Sequence, residues 1–488
     1  MDGDWRDDLE RWLEPYLKGL GHKARQRMCP AYVAGLIGPG DRKSIQPMAA
    51  RTGEVGYDRL HHFIGAGLWD SAPLEATLWD QADALVGGDK AWLIIDDTAL
   101  PKKGAASVGV APQYASALGK NANCQTLVSV TLASREVPIM LGLRLFLPES
   151  WTSDEARMVK AGVPEALRPY RTKPVIAIEE IDWVIAAGVR FGCVLADAGY
   201  GLSAPFRQAL SARGLHWAVG IPRHQKAYPA DVQLVFPVAG RGRPRQHHVP
   251  DTASRAAHAM LEDAKWRQVS WRRRTKGRLS ARFAVMRVRV ADGPPQRIGA
   301  SGAQHMPGED AWLVGEHRSS GERKYYLSNL PADAPIRDLA GAIKARWICE
   351  QAHQQLKEEL GLDHFEGRSW KGLHRHALMT MTAYAFLQSH RLAQAGQKNV
   401  WPIPSARVML DDVLVCINVS GLRALPRPRW ITRASGLIKT GGVEHHIFDQ
   451  ALATRGQPLR HLSFTSTDIV SGIGAVPAAV PGQAARAT

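Results

Sequence analysis

Two short apolar runs, each ending in aspartate, constrain this chain more than any other feature. Residues 91–97 read AWLIIDD and residues 191–197 read FGCVLAD. Neither run alternates apolar with polar, so each fits a strand buried on both faces in a parallel or mixed sheet. The surrounding pattern agrees. Residues 124–134 and 137–146 predict two further strands joined by a polar turn at Arg135-Glu136. Residues 154–167 and 174–188 predict a helical pair, 203–213 a helix, and LHWAVGIP another strand. The order is β-β-β-α-β-α-β, an α/β arrangement in which ligands gather at the carboxyl ends of strands. Asp96 and Asp197 stand at such ends. A carboxylate there adds nothing to a core and must be hydrated, hydrogen-bonded or bound to metal.

The chain of 488 residues is long enough for roughly two to four domains. Residues 1–85 read as a helical N-terminal region. Leu9, Trp12, Leu13, Tyr16, Leu17 and Leu20 form one apolar stripe, and a second helix over 25–37 is broken at Gly38-Pro39-Gly40. Ser44 can cap a short helix through Arg51, Thr52-Gly53 can turn, and residues 57–64 can form its partner. That is helix-turn-helix spacing, which fits either a DNA-contacting pair or an ordinary helical hairpin. Residues 86–224 hold the first part of the α/β core and 331–395 a later helical part. Residues 225–330 read as an inserted, mostly β subdomain. Residues 396–488 form a C-terminal region rich in Pro, Gly and Arg, with a tail expected to be poorly ordered.

Charge is concentrated in the insertion. The whole chain carries 62 basic and 46 acidic residues, a net charge of +16. Residues 241–282 alone hold twelve basic residues against Asp251, Glu262 and Asp263, a net of +9. Such a balance favours a polyanionic partner, of which nucleic acid is the commonest. Trp266 and Trp271 lie inside this window, beside Arg272, Arg273 and Arg274, and suggest a platform on which a displaced base can stack. No apolar run approaches 18 residues, the first residues are acidic where an export signal is basic, and the five cysteines show no CxxC spacing. These features predict a cytoplasmic protein with no membrane span, no disulfide framework and no zinc ribbon. The pairs His61-His62, His247-His248 and His445-His446 have no third ligand at zinc spacing.

A third carboxylate completes a set. Glu350 lies in the helical segment KARWICEQAHQQLKEELGLDHF. Taken singly, an aspartate after a strand is usually a turn residue and a glutamate on a charged helix is usually solvated. Three carboxylates from two strands and one helix can instead hold two divalent ions through oxygen. Two such ions about 3.5–4 Å apart drive in-line displacement at phosphorus. Arg346 lies four residues before Glu350 and Lys357 seven after it, so both can share its helix face and hold a phosphate. Lys102 and Lys103 follow the first carboxylates closely and can reach a DNA backbone.

Asp96-Asp97-Thr98 after an apolar strand, the later ADAGYG, and Arg346-x₃-Glu350-x₆-Lys357 together resemble the DDE transposases of bacterial insertion sequences. They are most similar to the branch with a Tyr-Arg-Glu-Lys signature, and GLDHFEGRSWKGLHRH is similar to that branch as well. Ile343 stands where that branch has its tyrosine. The resemblance spans roughly residues 45–395. It implies an RNase H-like mixed-sheet core, a mostly β insertion between the second aspartate and the glutamate, and a helical N-terminal DNA-binding domain. It implies Asp96, Asp197 and Glu350 as catalytic residues and metal ligands, holding two Mg²⁺ ions for which Mn²⁺ can substitute. The Asp-x-Thr pattern favours Asp96, with Asp97 as the fallback. The implied activity is binding of terminal inverted repeats, metal-dependent strand cleavage and strand transfer to target DNA, by a homodimer in a synaptic complex on double-stranded DNA. Two alternatives stay open: a DNA-binding regulator that keeps the fold without cutting, and an RNase H-like structure-specific nuclease.

Overall fold

The structure is a computed structural model that describes residues 5–52, 55–236, 247–274, 277–297 and 303–398. Five helices open the chain: α1 (Trp5–Leu20), α2 (Lys23–Ile37), α3 (Ile45–Thr52), α4 (Tyr57–Gly65) and α5 (Ala72–Val86). The expected stripe on α1 is buried at Leu9, Leu13, Tyr16 and Leu20. The first strands follow: β1 (Trp92–Pro101), β2 (Ala111–Ala115), β3 (Lys120–Ser134) and β4 (Val137–Leu145). Next come α6 (Glu149–Thr152), α7 (Glu155–Ala161), α8 (Lys173–Ala186), β5 (Cys193–Ala196), α9 (Ala198–Gly201), α10 (Ala204–Ala212) and β6 (Trp217–Ile221).

β1 lies antiparallel to β3 and parallel to β5, β5 is parallel to β6, and β4 pairs antiparallel with β3. The order β4-β3-β1-β5-β6 is the RNase H-like core that the resemblance implies. β2 joins the amino-terminal end of β3 on the same edge as β4.

The insertion contributes β7 (Lys226–Pro229), β8 (Leu234–Val235), β9 (Val249–Pro250), β10 (Arg255–Ala256), α11 (Ala257–Met260), β11 (Arg267–Arg274), β12 (Gly277–Arg297), β13 (Ala303–His317) and β14 (Arg323–Ser328). β14 pairs with β6, and β13, β12, β7 and β10 continue outward from it, so one twelve-stranded sheet runs through core and insertion. The chain then forms α12 (Ile336–Ala345), α13 (Trp347–Glu358) and α14 (Trp370–Lys398). The helical segment that carries Glu350 is broken at Arg346 into α12 and α13, where the Cys349 amide donates to the Arg346 carbonyl in a tightened turn (3.2 Å). Among the described residues no helix is long and apolar enough to cross a membrane. The tail predicted to be poorly ordered, together with residues 399–488 as a whole, lies outside the described residues.

The two faces of the sheet carry different helices. Ile94, Cys193, Leu195 and Ala218 share an apolar cluster with Leu339, Ile343, Ile348 and Cys349 of α12 and α13. Leu93, Ile95, Val194, Ala196 and Val219 belong to the opposite core with Ile176 and Ile181 of α8 and Phe206 of α10. The pleat of β1 therefore sorts its odd and even residues between α8 and α13.

Candidate active site

That sorting separates the two adjacent aspartates. Asp96 continues the even set and turns toward α13. Its Oδ2 accepts from Arg346 Nη1 (2.5 Å) and from the Cys349 thiol (3.2 Å), and its Oδ1 accepts the Asp97 amide (2.8 Å). Asp97 continues the odd set. Its Oδ2 accepts from Lys173 Nζ (2.5 Å) on α8, and its Oδ1 accepts the Tyr200 hydroxyl (2.5 Å) on α9. Asp197, one residue past β5, caps α9 by accepting the amides of Gly199 (2.9 Å) and Tyr200 (3.2 Å).

Arg346 joins the first aspartate to the glutamate: one guanidinium nitrogen donates to Asp96 and another to Glu350 Oε1. Glu350 is mostly solvent-facing, whereas Asp96 is largely enclosed. Burial pushes the Asp96 carboxyl up to about 6; Arg346 opposes this and the nearby Asp197 charge adds to it. Burial likewise raises Asp97, against Lys173 and Tyr200. For Arg346, burial disfavours the charge, but Asp96, Cys349 and Glu350 outweigh it and raise its pKa. Burial drives the Cys349 thiol well above its ordinary value.

Among the described residues no three His, Cys, Asp or Glu side chains converge closely enough to hold an ion as they stand. The chemistry of the donors fits one. Asp96, Asp197 and Glu350 offer the oxygen ligands that Mg²⁺ takes, and a cation, the Arg346 guanidinium, already spans two of them. Asp97 offers less, because both its oxygens are engaged on the α8 face.

The remaining sequence-predicted residues divide. Lys357 lies on α13 beyond Glu350, half-buried, and burial lowers its pKa against the pull of Asp363. Lys103 is exposed. Lys102 is not free for DNA: its ammonium donates to the carbonyls of Asp363 (3.1 Å) and Phe365 (2.8 Å), bracing β1 against the loop after α13. The tryptophans do not form an open stacking platform. Trp266 is half-buried, edge-on to His317 (5.8 Å) with Arg323 over its ring (5.4 Å). Trp271 is half-buried, edge-on to Phe283 (5.8 Å) with Lys344 over its ring (5.0 Å). Both rings spend their faces on the protein's own cations and apolar neighbours. Arg272 is likewise committed, paired with Glu136 and stacked on Trp347 (4.5 Å). Arg273 and Arg274 end β11, and their side chains lie outside the described residues. On α4, Leu60, Phe63 and Ile64 are buried while Arg59, His61 and His62 are exposed. Ile343 is buried in the apolar cluster beneath α12.

Sequence reasoning missed Lys173, Tyr200, Cys349, Ser129 and His353. Tyr200 sits inside ADAGYG and Cys349 beside Glu350, so both lay in motifs already in view. Lys173 carries no local signal, because its partner Asp97 is 76 residues away in sequence.

The family described as DDE superfamily endonuclease matches residues 15–278, and the family described as transposase DDE domain matches residues 177–386. A curated relative, the probable transposase for insertion sequence element IS701 from Microchaete diplosiphon, is 30% identical over 188 residues. That match covers 38% of this chain, and the chain spans 46% of the length of the relative. Among solved structures, the piggyBac transposase synaptic complex with hairpin DNA aligns at a TM-score of 0.37 and 10% identity, over 88% of this chain and 81% of that one. The NurA nuclease from Sulfolobus solfataricus aligns at a TM-score of 0.22 and 9% identity, over 62% of this chain and 86% of that one.

Proposed function

The chain belongs to the DDE superfamily endonuclease family, and we propose that it is the transposase of an insertion sequence. In this reading it binds the terminal inverted repeats of the element, cuts the DNA there and transfers the freed strand to a target. The observation that carries the reading is the arrangement around Arg346. One guanidinium spans a carboxylate at the end of β1 and another on α13, and the Asp197 charge lies near enough to act on Asp96.

Asp96, Asp197 and Glu350 are the residues that would hold divalent ions, Mg²⁺ first and Mn²⁺ in its place. Bound there, such ions supply activation of the attacking oxygen and stabilisation of the leaving oxygen. The chain's own residues do the rest. Arg346 presents a planar fork suited to two phosphate oxygens, and Lys357 adds a cation farther along α13. Lys103 and exposed arginines of the insertion attract the DNA backbone without regard to sequence. In this reading the 1–85 region, with α3 and α4, binds DNA, and residues 225–330 grip the transposon-end DNA. A homodimer would bring two ends together.

The test is a linear DNA carrying the inverted repeats that flank the coding sequence, incubated with protein and Mg²⁺. Cleavage at the repeat ends followed by joining to a second DNA supports the reading. Cleavage of branched DNA without joining identifies a nuclease, and tight binding with no metal-dependent product identifies a regulator.

A further inference from the structure

Behind the carboxylates lies a buried polar pair that no apolar core requires. His353, one turn past Glu350 on α13, places its Nε2 against Ser129 Oγ (2.8 Å), and Ser129 Oγ donates to the main-chain carbonyl of Asp96 (3.0 Å). Ser129 lies directly opposite Asp96 in the register of β3 on β1 and is 0% exposed; His353 is 6% exposed. Burying an imidazole and a hydroxyl costs free energy unless both are bonded. Here each is bonded to the other, and the hydroxyl also to the strand that carries Asp96.

We infer that His353 and Ser129 form a positioning brace that sets Glu350 and Asp96 in register. The direction of the bonds follows from proton count. A serine hydroxyl has one proton, and a carbonyl can only accept. Ser129 therefore donates to the Asp96 main-chain carbonyl, and His353 must donate to Ser129 from a protonated Nε2. Burial depresses the His353 pKa to about 3, in keeping with a neutral ring. The chain of two bonds links three elements: α13 to β3, and β3 to β1. It fixes both the rotation of α13 about its axis and its slide along the sheet. Glu350 rides on the same helix one turn earlier. The brace thus holds two carboxylates from elements far apart in sequence at one relative setting, without touching DNA or metal itself.

This inference rests on the reading that Asp96 and Glu350 act together. The experiment compares Ser129→Ala, His353→Phe and His353→Gln in the full chain. Three quantities are read: single-turnover cleavage of end DNA, affinity for the same DNA, and the Mg²⁺ concentration at half of the metal-dependent rise in melting temperature. Ser129→Ala and His353→Phe should each lower cleavage about 10–100-fold and shift the Mg²⁺ midpoint upward by a similar factor, as partners behind metal ligands do. DNA affinity should stay at the wild-type value. His353→Gln keeps an N–H donor within reach of Ser129 and should recover most of the loss. If the pair only fills space, His353→Phe lowers melting temperature while cleavage per folded molecule and the Mg²⁺ midpoint match wild type; that result overturns the brace. Wild-type protein that cleaves no end DNA would instead count against the transposase reading, and the Mg²⁺ midpoints would still decide the brace.

Discussion

Asp96 and Asp97 are covalent neighbours, yet the pleat of β1 gives them different surroundings. Asp96 faces Arg346, Cys349 and α13, whereas Asp97 is held by Lys173 and Tyr200 on the α8 side. Asp97→Asn should therefore keep most of the cleavage activity and lose stability, because Lys173 loses its counter-charge. Melting temperature and single-turnover cleavage on the same preparation check this; a dead but stably folded Asp97→Asn would exchange the roles of the pair. The resemblance favoured Asp96 through the Asp-x-Thr pattern. Which face of β1 held the site could not be read locally, because it is set by where α13 packs. Lys102 carries the same lesson. Its position in sequence suggested DNA, but two carbonyls from a loop some 260 residues away claim its ammonium.

At the scale of elements, the N-terminal helices and the core are tied by a charged triad. Arg144 on β4 pairs with Glu75 on α5 (2.6 Å) and Glu180 on α8 (2.7 Å), all three largely enclosed. Arg144→Ala leaves two enclosed carboxylates unpaired and should destabilise the protein by about 3–5 kcal/mol, measured by denaturant unfolding; a loss well below this would mean that water replaces the guanidinium. Beside the triad, α14 is pinned by His374. Its Nε2 accepts the Leu145 amide (3.3 Å) and its Nδ1 lies against the Trp370 carbonyl (2.9 Å), so the ring must stay neutral. Burial, with Arg144 beside it, lowers the His374 pKa from 6.5 to about 4. Between those values the unfolded chain binds the proton and the folded one does not, so stability falls as pH falls from 6.5 toward 4. A single such histidine contributes up to about 1.4 kcal/mol per pH unit. Melting temperature against pH should show this slope, and His374→Gln should reduce it; an unchanged slope would place the acid sensitivity elsewhere. The strands were legible because continuous apolar runs bounded by polar residues have few other solutions. The break between α12 and α13 was not, because apolar periodicity passes through Arg346 undisturbed. Its tightened turn goes with a side chain drawn onto a distant strand.

Across the chain, β10, β11 and the start of β12, which carry described residues of the basic window, belong to the twelve-stranded sheet. β14 pairs with β6, so the inserted strands extend the core, a non-local pairing that no local pattern encodes. The charges of the window accordingly divide between inside and outside. Arg272 pairs with Glu136, whereas Arg267, Arg278 and Arg282 are exposed. Neutralising those three exposed arginines should flatten the log–log salt dependence of DNA binding by about 0.9 for each phosphate that the protein no longer neutralises. Arg272→Ala should leave that slope alone and lower the melting temperature. The opposite pattern, measured by salt titration, would mean that Arg272 rather than the exposed arginines meets the DNA backbone.

In the proposed function, carboxylates from β1, the end of β5 and α13 act as one metal-dependent centre. Single-turnover cleavage of end DNA by Asp96→Ala, Asp197→Ala and Glu350→Ala, with affinity for the same DNA measured alongside, separates such a centre from three independent carboxylates. Each substitution should abolish Mg²⁺-dependent cleavage while end binding persists, because binding rests on lysine and arginine. Cleavage at the wild-type rate in folded Asp197→Ala would contradict it.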